Sequence, residues 1–345
     1  MLDKLLSEDN VRHLCALLDK AQNIIVTCHV SPDGDAMGSV LAFSHFLGRK
    51  GKNAIPVVPN IFPDFLKWLP GVERVAVYEK NEGEVAPLVL AADLVVCLDF
   101  NTPERLLGLR KPIEESRAPR IMIDHHLDPA DFCEWSVSRS DMSSTCELLF
   151  RIMDQLGETE DMTMEEAACI YTGMMTDTGG FSYNSNRSDI YYIIGQLLTK
   201  GIDKDKIYRN VFFNYSAERF RLMGYMLYVK LETFPEYHAS LMTLTREEQK
   251  RFSHKKGDTE GFVNIPLQIN KSRLSIFLRE DTERRVIRVS LRSVDDFPCN
   301  KMAAEFFNGG GHLNASGGEL PCPMDRAVEV VRAALKKYAP LLAVK

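Results

Sequence analysis

The sequence predicts an α/β protein: a parallel-sheet domain with helices on both faces, a helical connector, and a smaller α+β domain. Three observations carry that expectation. Short apolar runs in the first half alternate with longer helical patterns. The runs are apolar at every position, as strands covered on both faces require, and strands alternating with helices imply a parallel sheet. After about Thr233 the texture changes to strands that are apolar only at alternate positions.

Taken in order, Ile24-Ile25-Val26 reads as a strand, and a helix from about Ala36 to Leu47 stops at Gly48 and Gly51. Leu94 to Leu98 and Ile121-Met122-Ile123 are further strands, with helical patterns at Ser143–Leu156 and Met164–Met175. From about Asp189 to Lys230 helices follow one another with no strand between them, and Gly201-Ile202-Asp203 is a stop followed by an N-cap. His238–Thr243, Arg273–Leu278 and Val286–Arg292 then read as strands. In the last of these, Ile287, Val289 and Leu291 face a core and Arg288, Ser290 and Arg292 face the other side. Helices at Lys301–Phe307 and Met324–Tyr338 complete the chain. The expected domains are residues 1–188 for the parallel-sheet unit, 189–232 for the connector and 233–345 for the smaller domain.

A length of 345 residues exceeds one ordinary core and suits two. Apolar content of 45% and charged content of 26% exclude disordered and fibrous classes. With 42 Lys+Arg against 48 Asp+Glu the net charge is −6, which argues against a broad basic surface gripping long nucleic acid. A phosphate-bearing partner must then be held locally, by a few cations or by metal. No apolar run approaches the ~20 residues of a membrane span, and the first residues lack a signal-peptide layout. The cysteines at 15, 28, 97, 133, 146, 169, 299 and 322 form no C-x-x-C pair, and several sit in apolar runs. Free thiols in a reducing cytoplasm are the expectation.

Four clusters of Asp and His share one kind of position. His29 to Asp35 follows the first strand, Asp99 caps the run ending at Leu98, Asp124-His125-His126 follows Ile121–Ile123, and Asp177 closes a helical segment before Thr178-Gly179-Gly180. Ligands of open parallel sheets bind beyond the carboxyl ends of strands. Each word alone has a plainer reading: Asp33-Gly34-Asp35 makes a turn, Asp99 an Asx cap, and His29 a core histidine. Their convergence is what points to chemistry. Asp33, Asp35, Asp99, Asp124 and Asp177 beside three imidazoles would repel one another unless hard cations compensate them. Oxygen and nitrogen ligands without thiolate favour manganese, and the ligands outnumber the needs of one ion. Two ions about 4 Å apart, sharing Asp99, are therefore expected. Further on, Gly309-Gly310-Gly311-His312 and Gly317-Gly318 form a glycine-rich loop that suits a phosphate or a closely approaching base, and it is not a P-loop. His312 and Arg292 add donors to it.

In this order the words resemble the DHH/DHHA1 phosphoesterase family over nearly the whole chain: His29-x-x-x-Asp33-x-Asp35, then Asp99, then Asp124-His125-His126, then Asp177, with Gly309-Gly310-Gly311-His312, Ala315 and Gly317 as the DHHA1-like signature. A stand-alone chain of this layout is similar to the bacterial bifunctional oligoribonuclease and pAp phosphatase (nanoRNase) group. The resemblance implies that His29, Asp33, Asp99 and Asp177 hold one ion and Asp35, Asp99, His125 and Asp177 the other. The ions would be manganese, with magnesium or cobalt as substitutes. It further implies that His126 faces the scissile phosphate, that Asp124 orients its neighbours, and that Ser143 and Ser144 open a helix toward the phosphate. Arg292, Gly310, Gly311 and His312 would hold the far end of the substrate. The expected activity is two-metal hydrolysis of short oligoribonucleotides or 3′-phosphoadenosine 5′-phosphate (pAp), with dinucleotides among the partners. Long duplexes and membranes are not expected partners, the expected location is the cytoplasm, and relatives point to a homodimer. Hydrolysis of cyclic-di-AMP or pApA, a pyrophosphatase or exopolyphosphatase activity, and a catalytically silent nucleotide sensor are the alternatives.

Overall fold

In the central strands of the first sheet, alternate residues supply two different cores, which is why those sequence runs are apolar throughout. The computed structural model describes residues 2–213, 215–255 and 257–343, and the chain divides into two units, Met1–Asn214 and Tyr215–Lys345. The first unit begins with α1 (Glu8–Lys20), β1 (Asn23–Thr27), α2 (Gly34–Arg49), β2 (Asn53–Val58), β3 (Ala76–Val77) and α3 (Glu82–Leu90). It continues with β4 (Leu94–Leu98), α4 (Arg110–Glu115), β5 (Arg120–Asp124), β6 (Trp135–Ser138), α5 (Thr145–Gln155) and α6 (Met164–Asp177), and ends with α7 (Ser188–Thr199) and α8 (Lys204–Phe212). The strands form one sheet in the order β3-β2-β1-β4-β5-β6, and every pairing is parallel.

Ile24, Val26, Val96 and Ile123 face a core built with α1, α2, α5 and α6. Ile25, Val95, Cys97 and Met122 face a second core with Val85, Val89 and Ile113 of α3 and α4. Both faces of the sheet are therefore covered, as expected from the apolar runs. The helix α2 is buried along nearly its whole length because glycines let α6 approach it. A Cβ on Gly38 would stand 2.6 Å from the carbonyl of Cys169.

The second unit carries α9 (Ala217–Tyr225), β7 (Glu232–Phe234), β8 (Ala239–Leu244), α10 (Arg246–Arg251), β9 (Leu274–Glu280) and β10 (Ile287–Ser293). After these come α11 (Cys299–Phe306), β11 (Gly310–Gly311), β12 (Ala315–Leu320) and α12 (Met324–Leu342). Its sheet runs β11-β12-β10-β9-β8-β7 and is mixed, with β8 and β9 parallel and the other pairs antiparallel. Ile287, Val289 and Leu291 are buried in one core with α11 and α12, as their alternation foretold. A satellite core of Leu222, Met226, Met242 and Phe277 lies apart from it.

The stretch expected as a connector is divided: α7 and α8 count with the first unit and α9 with the second. Asp203 N-caps α8 as expected, accepting from the Lys206 amide at 2.9 Å. The glycine-rich loop proves to be largely a hairpin, with Gly317 and Gly318 inside β12. Among the described residues, no helix is long and apolar enough to cross a membrane.

Candidate metal centre

The strands β1, β4 and β5 are neighbours in the middle of the first sheet, and all three end at the same edge. The strand order reverses between β1 and β4, where an open sheet leaves a crevice for a ligand. His29 stands just beyond β1, Asp99 just beyond β4, and Asp124 is the last residue of β5.

Each imidazole beyond these strands is aimed by its Nδ1. His29 Nδ1 lies 2.7 Å from the carbonyl of Val30 and donates to it, turning Nε2 toward Asp33 Oδ2 at 3.7 Å and Asp99 Oδ2 at 3.4 Å. His125 Nδ1 donates to the Met142 carbonyl at 3.3 Å, and its Nε2 meets Asp99 Oδ1 at 3.6 Å, Asp177 Oδ2 at 3.5 Å and Asp35 Oδ2 at 3.9 Å. A backbone acceptor on one ring nitrogen leaves the other as the ligand atom, the usual way a protein fixes a metal-binding histidine.

The carboxylates are held just as firmly. Asp33 Oδ1 caps α2 by accepting from the amides of Asp35 at 3.1 Å and Ala36 at 3.0 Å, while Oδ2 faces His29. One oxygen of Asp33 thus makes the turn while the other is left facing His29. Asp35 is buried and accepts from two amides of the first turn of α5, Thr145 at 2.6 Å and Cys146 at 2.9 Å. Asp99 adopts φ +64°, a left-handed conformation that aspartate tolerates better than most residues. That turn drives its carboxylate inward, where Oδ2 faces His29, Oδ1 faces His125, and Thr145 Oγ1 donates to Oδ1 at 2.9 Å. Asp177 is the last residue of α6, so the helix delivers it beside His125.

Two ligand groups result: His29, Asp33 and Asp99, and next to them Asp35, His125 and Asp177. Asp99 touches an imidazole of each group, so its two oxygens span them. Asp177 falls in the group with Asp35 and His125. A third group, Asp99, Asp124 and His126, overlaps the first. There Asp124 is fully buried, with Oδ1 2.7 Å from His126 Nδ1 and Oδ2 accepting from the His126 amide at 3.0 Å.

The electrostatics show what the cluster is built to hold. Burial would depress His29, yet Asp33 and Asp99 push it up to about 10. Burial likewise opposes Asp177, Asp99 and Asp35 around His125, and they push it up to about 9. Burial, Asp99 and Asp177 drive Asp35 well above the carboxylate range. Burial would raise Asp99 as well, but His29, His126 and His125 hold it well below that range. The carboxylates thus favour positive charge at both buried imidazoles, and divalent cations held between them would supply that charge. Hard oxygen donors, inward Nε2 atoms and the Asp99 carboxylate shared between groups fit such ions.

Ser143 and Ser144 do not reach outward as expected. Both are buried: Ser143 Oγ donates to Glu147 Oε2 at 2.7 Å, and Ser144 Oγ accepts from the Glu147 amide at 3.0 Å. The free amides of α5 go to Asp35, so this turn positions a carboxylate instead of meeting phosphate. Thr145, the third residue of that hydroxyl-rich turn, has a role of its own, and Glu147 and Gly173 were not foreseen from the sequence. Thr145 binds both Asp35 and Asp99. Glu147 is buried in contact with Arg151 and Arg187. Gly173 sits where a Cβ would stand 2.8 Å from Asp35 Oδ1. The helix-start pattern Ser144-x-x-Glu147 was the one hint of Glu147.

In the second unit, Arg292 lies on β10 opposite Ser275 and Ala315, and its guanidinium donates to the Leu291 carbonyl at 3.0 Å. His312 begins a tight turn in which its amide donates to Ala315 at 2.8 Å. Gly309, Gly311 and Gly318 allow backbones to touch: a Cβ on Gly309 would stand 1.8 Å from the Gly317 carbonyl. Gly310 is exposed with open space at that position. Arg288, on the face of β10 away from Ile287, Val289 and Leu291, pairs with Asp281 and Glu319.

The sequence matches the family model described as DHH family, N-terminal domain, over residues 23–174, and the DHHA1 domain over residues 242–339. It is 30% identical over 315 residues to the bifunctional oligoribonuclease and PAP phosphatase NrnA of Thermus thermophilus, covering 91% of this chain and 89% of that protein. The NrnA protein of Bacillus subtilis is 25% identical over 86% of this chain and 89% of its own length. Among solved structures, an exopolyphosphatase-related protein from Bacteroides fragilis superposes with a TM-score of 0.95 at 51% identity, covering 99% of both chains. The manganese-bound exonuclease RecJ shares the fold, with a TM-score of 0.54 at 16% identity, covering 98% of this chain and 96% of that one.

Proposed function

The chain belongs to the DHH family of phosphoester hydrolases, with a DHHA1 domain in its second unit, and we propose that it cleaves short oligoribonucleotides and pAp to mononucleotides with two divalent ions, manganese first. The observation that carries this reading is the Asp99 carboxylate between His29 and His125, flanked by two ligand groups. The resemblance to NrnA over nine-tenths of the chain supplies the substrate class.

His29, Asp33 and Asp99 would hold one ion and Asp35, His125 and Asp177 the other, with Asp99 common to both. When bound, such ions supply Lewis acidity toward the phosphoryl oxygens and make water a stronger acid. The chain's own residues do the rest. Asp124 fixes the His126 ring through Nδ1, which aims Nε2 away from the buried carboxylate and presents it to the reacting phosphate. Thr145 keeps Asp99 in place, and the first turn of α5 keeps Asp35 from swinging out. Arg292 and His312 are the cationic and hydrogen-bonding groups for the rest of the nucleotide, with Gly310 and Gly311 giving it room. A short substrate agrees with the net charge of −6, which disfavours a broad grip on long nucleic acid.

A second reading, hydrolysis of a phosphoanhydride, is favoured by the 51% identity to the exopolyphosphatase-related protein. One panel separates the readings: product release from pAp, a ribodinucleotide, cyclic-di-AMP, pyrophosphate and polyphosphate under manganese. Turnover of the first two supports the proposal. Cleavage of pyrophosphate or polyphosphate alone replaces it with the second reading. Binding without turnover of any of them would make the chain a sensor.

A further inference from the structure

We propose, on the two-ion reading above, that Arg187 and Glu147 brace the ligand group of Asp35, His125 and Asp177 and so set how tightly that one ion is held. Glu147 is fully buried in α5, and its carboxylate is the hub. Oε2 accepts from the Ser143 amide at 2.8 Å and from the Ser143 hydroxyl at 2.7 Å. Oε1 accepts from Arg151 Nε at 2.9 Å and from Arg187 Nη2. Arg151 reaches on to Asp189 Oδ2 at 2.9 Å, so two guanidinium groups face two carboxylates. A buried carboxylate needs a counter-ion, and Arg151 alone provides one. Arg187 does something else: it ties two separate stretches of chain together.

The stretch that Glu147 grips also aims ligands. Met142, next to Ser143, gives its carbonyl to His125 Nδ1 at 3.3 Å. Thr145 and Cys146 give their amides to Asp35 at 2.6 Å and 2.9 Å. Arg187 comes from the other side, as the residue that precedes α7 and ends the loop leaving Asp177. That loop is tied within itself: Thr178 Oγ1 accepts from the Phe181 amide at 3.0 Å, and Ser185 Oγ donates to the Phe181 carbonyl at 2.9 Å. From its end the guanidinium reaches Glu147 and sets Nη1 and Nη2 each 3.9 Å from Met142 Sδ. Two ligands of the group are thus aimed from one turn, and the loop leaving the third is locked to that turn. The other group is held elsewhere, His29 by the Val30 carbonyl and Asp33 by the first amides of α2. A partner behind the ligands fixes their geometry. Its charge acts the other way, because a cation weakens the hold on a neighbouring cation. Removing Arg187 therefore separates the two effects: loss of charge alone tightens the ion, and loss of the brace loosens it.

Equilibrium dialysis of the full-length chain against manganese, without substrate, reads both ions. Wild type should bind two. Arg187→Gln should keep one at wild-type affinity and hold the other about 10- to 100-fold more weakly. Arg187→Lys keeps the charge but has no fork to span Glu147 and Met142. It should show the same selective loss in smaller degree, and it carries the comparison if Arg187→Gln does not fold. Arg139→Gln is the control: it removes a guanidinium that pairs with Asp141 in the turn leading to Met142, and both ions should stay as in wild type. Unchanged or tighter binding of both ions by the Arg187 variants overturns the proposal, as does equal weakening of both ions or a like loss in Arg139→Gln. A wild-type chain that binds a single ion overturns the two-ion reading itself, a failure seen before any variant is compared.

Discussion

The backbone amide of Thr145 donates to Asp35 Oδ2 at 2.6 Å, so the first turn of α5 grips a carboxylate that opens α2. The same residue's hydroxyl donates to Asp99 Oδ1 at 2.9 Å. Thr145 therefore orients one carboxylate from each ligand group without being a ligand. Thr145→Val keeps the amide and the volume but removes the hydroxyl. Its manganese requirement should rise by about 10- to 100-fold, with circular dichroism unchanged. A manganese titration of turnover measures this; an unaltered midpoint would show that the hydroxyl orients nothing.

Gly173 leaves no room on α6. An added Cβ would stand 2.3 Å from Cys146 Sγ and 2.8 Å from Asp35 Oδ1. Gly173→Ala should destabilise the protein by about 1–3 kcal/mol through overpacking, and it should displace Asp35 as well. Urea unfolding gives the first effect and manganese stoichiometry the second. Gly195, inside α7, where a Cβ meets nothing within 4 Å, is the control: Gly195→Ala should stabilise by up to about 1 kcal/mol and leave manganese stoichiometry unchanged.

Metal removal should loosen the first unit. Asp35 carries the strain of the metal-free cluster, since burial and the charges of Asp99 and Asp177 all act against its ionised form. Chelation should lower the unfolding temperature, and manganese at about 100 times its Kd should restore ~2.7 kcal/mol per ion. Calorimetry with and without manganese checks this, and Asp99→Asn should abolish most of the restoration together with turnover.

A pH effect is expected in the second unit. Burial acts to raise Asp281, but the amides of Arg284 and Glu283 and the side chain of Arg288 bring it down to about 2. A carboxyl group depressed by folding stabilises the native state above its unfolded pKa, close to 4. That contribution disappears as the pH falls from about 4 through 2. The stability difference between wild type and Asp281→Asn should accordingly be constant from neutral pH down to about 5, and shrink below 4. A difference independent of pH would refute the assignment to charge.

The sequence by itself determined the three central strands β1, β4 and β5, because strands covered on both faces are apolar at nearly every position; β2, β3 and β6, less apolar or shorter, were recognised only in the fold. It also determined the ligand candidates: His29, Asp99 and Asp124-His125-His126 follow apolar runs directly, and a residue just past a strand is placed by that strand. The alternating pattern at Ile287, Val289 and Leu291 likewise foretold a one-sided core. Tertiary structure alone decided how the ligands are held and shared. Asp99 spans two groups because a left-handed turn aims it between His29 and His125, and no local pattern encodes that direction. Ser143 and Ser144 look like outward hydroxyls in sequence, yet a buried Glu147 and the carboxylate of Asp35 turn their helix start inward. Strand and helix periodicity are local and legible in one dimension. The orientation of a buried charge depends on partners far along the chain, and only the fold brings those partners together.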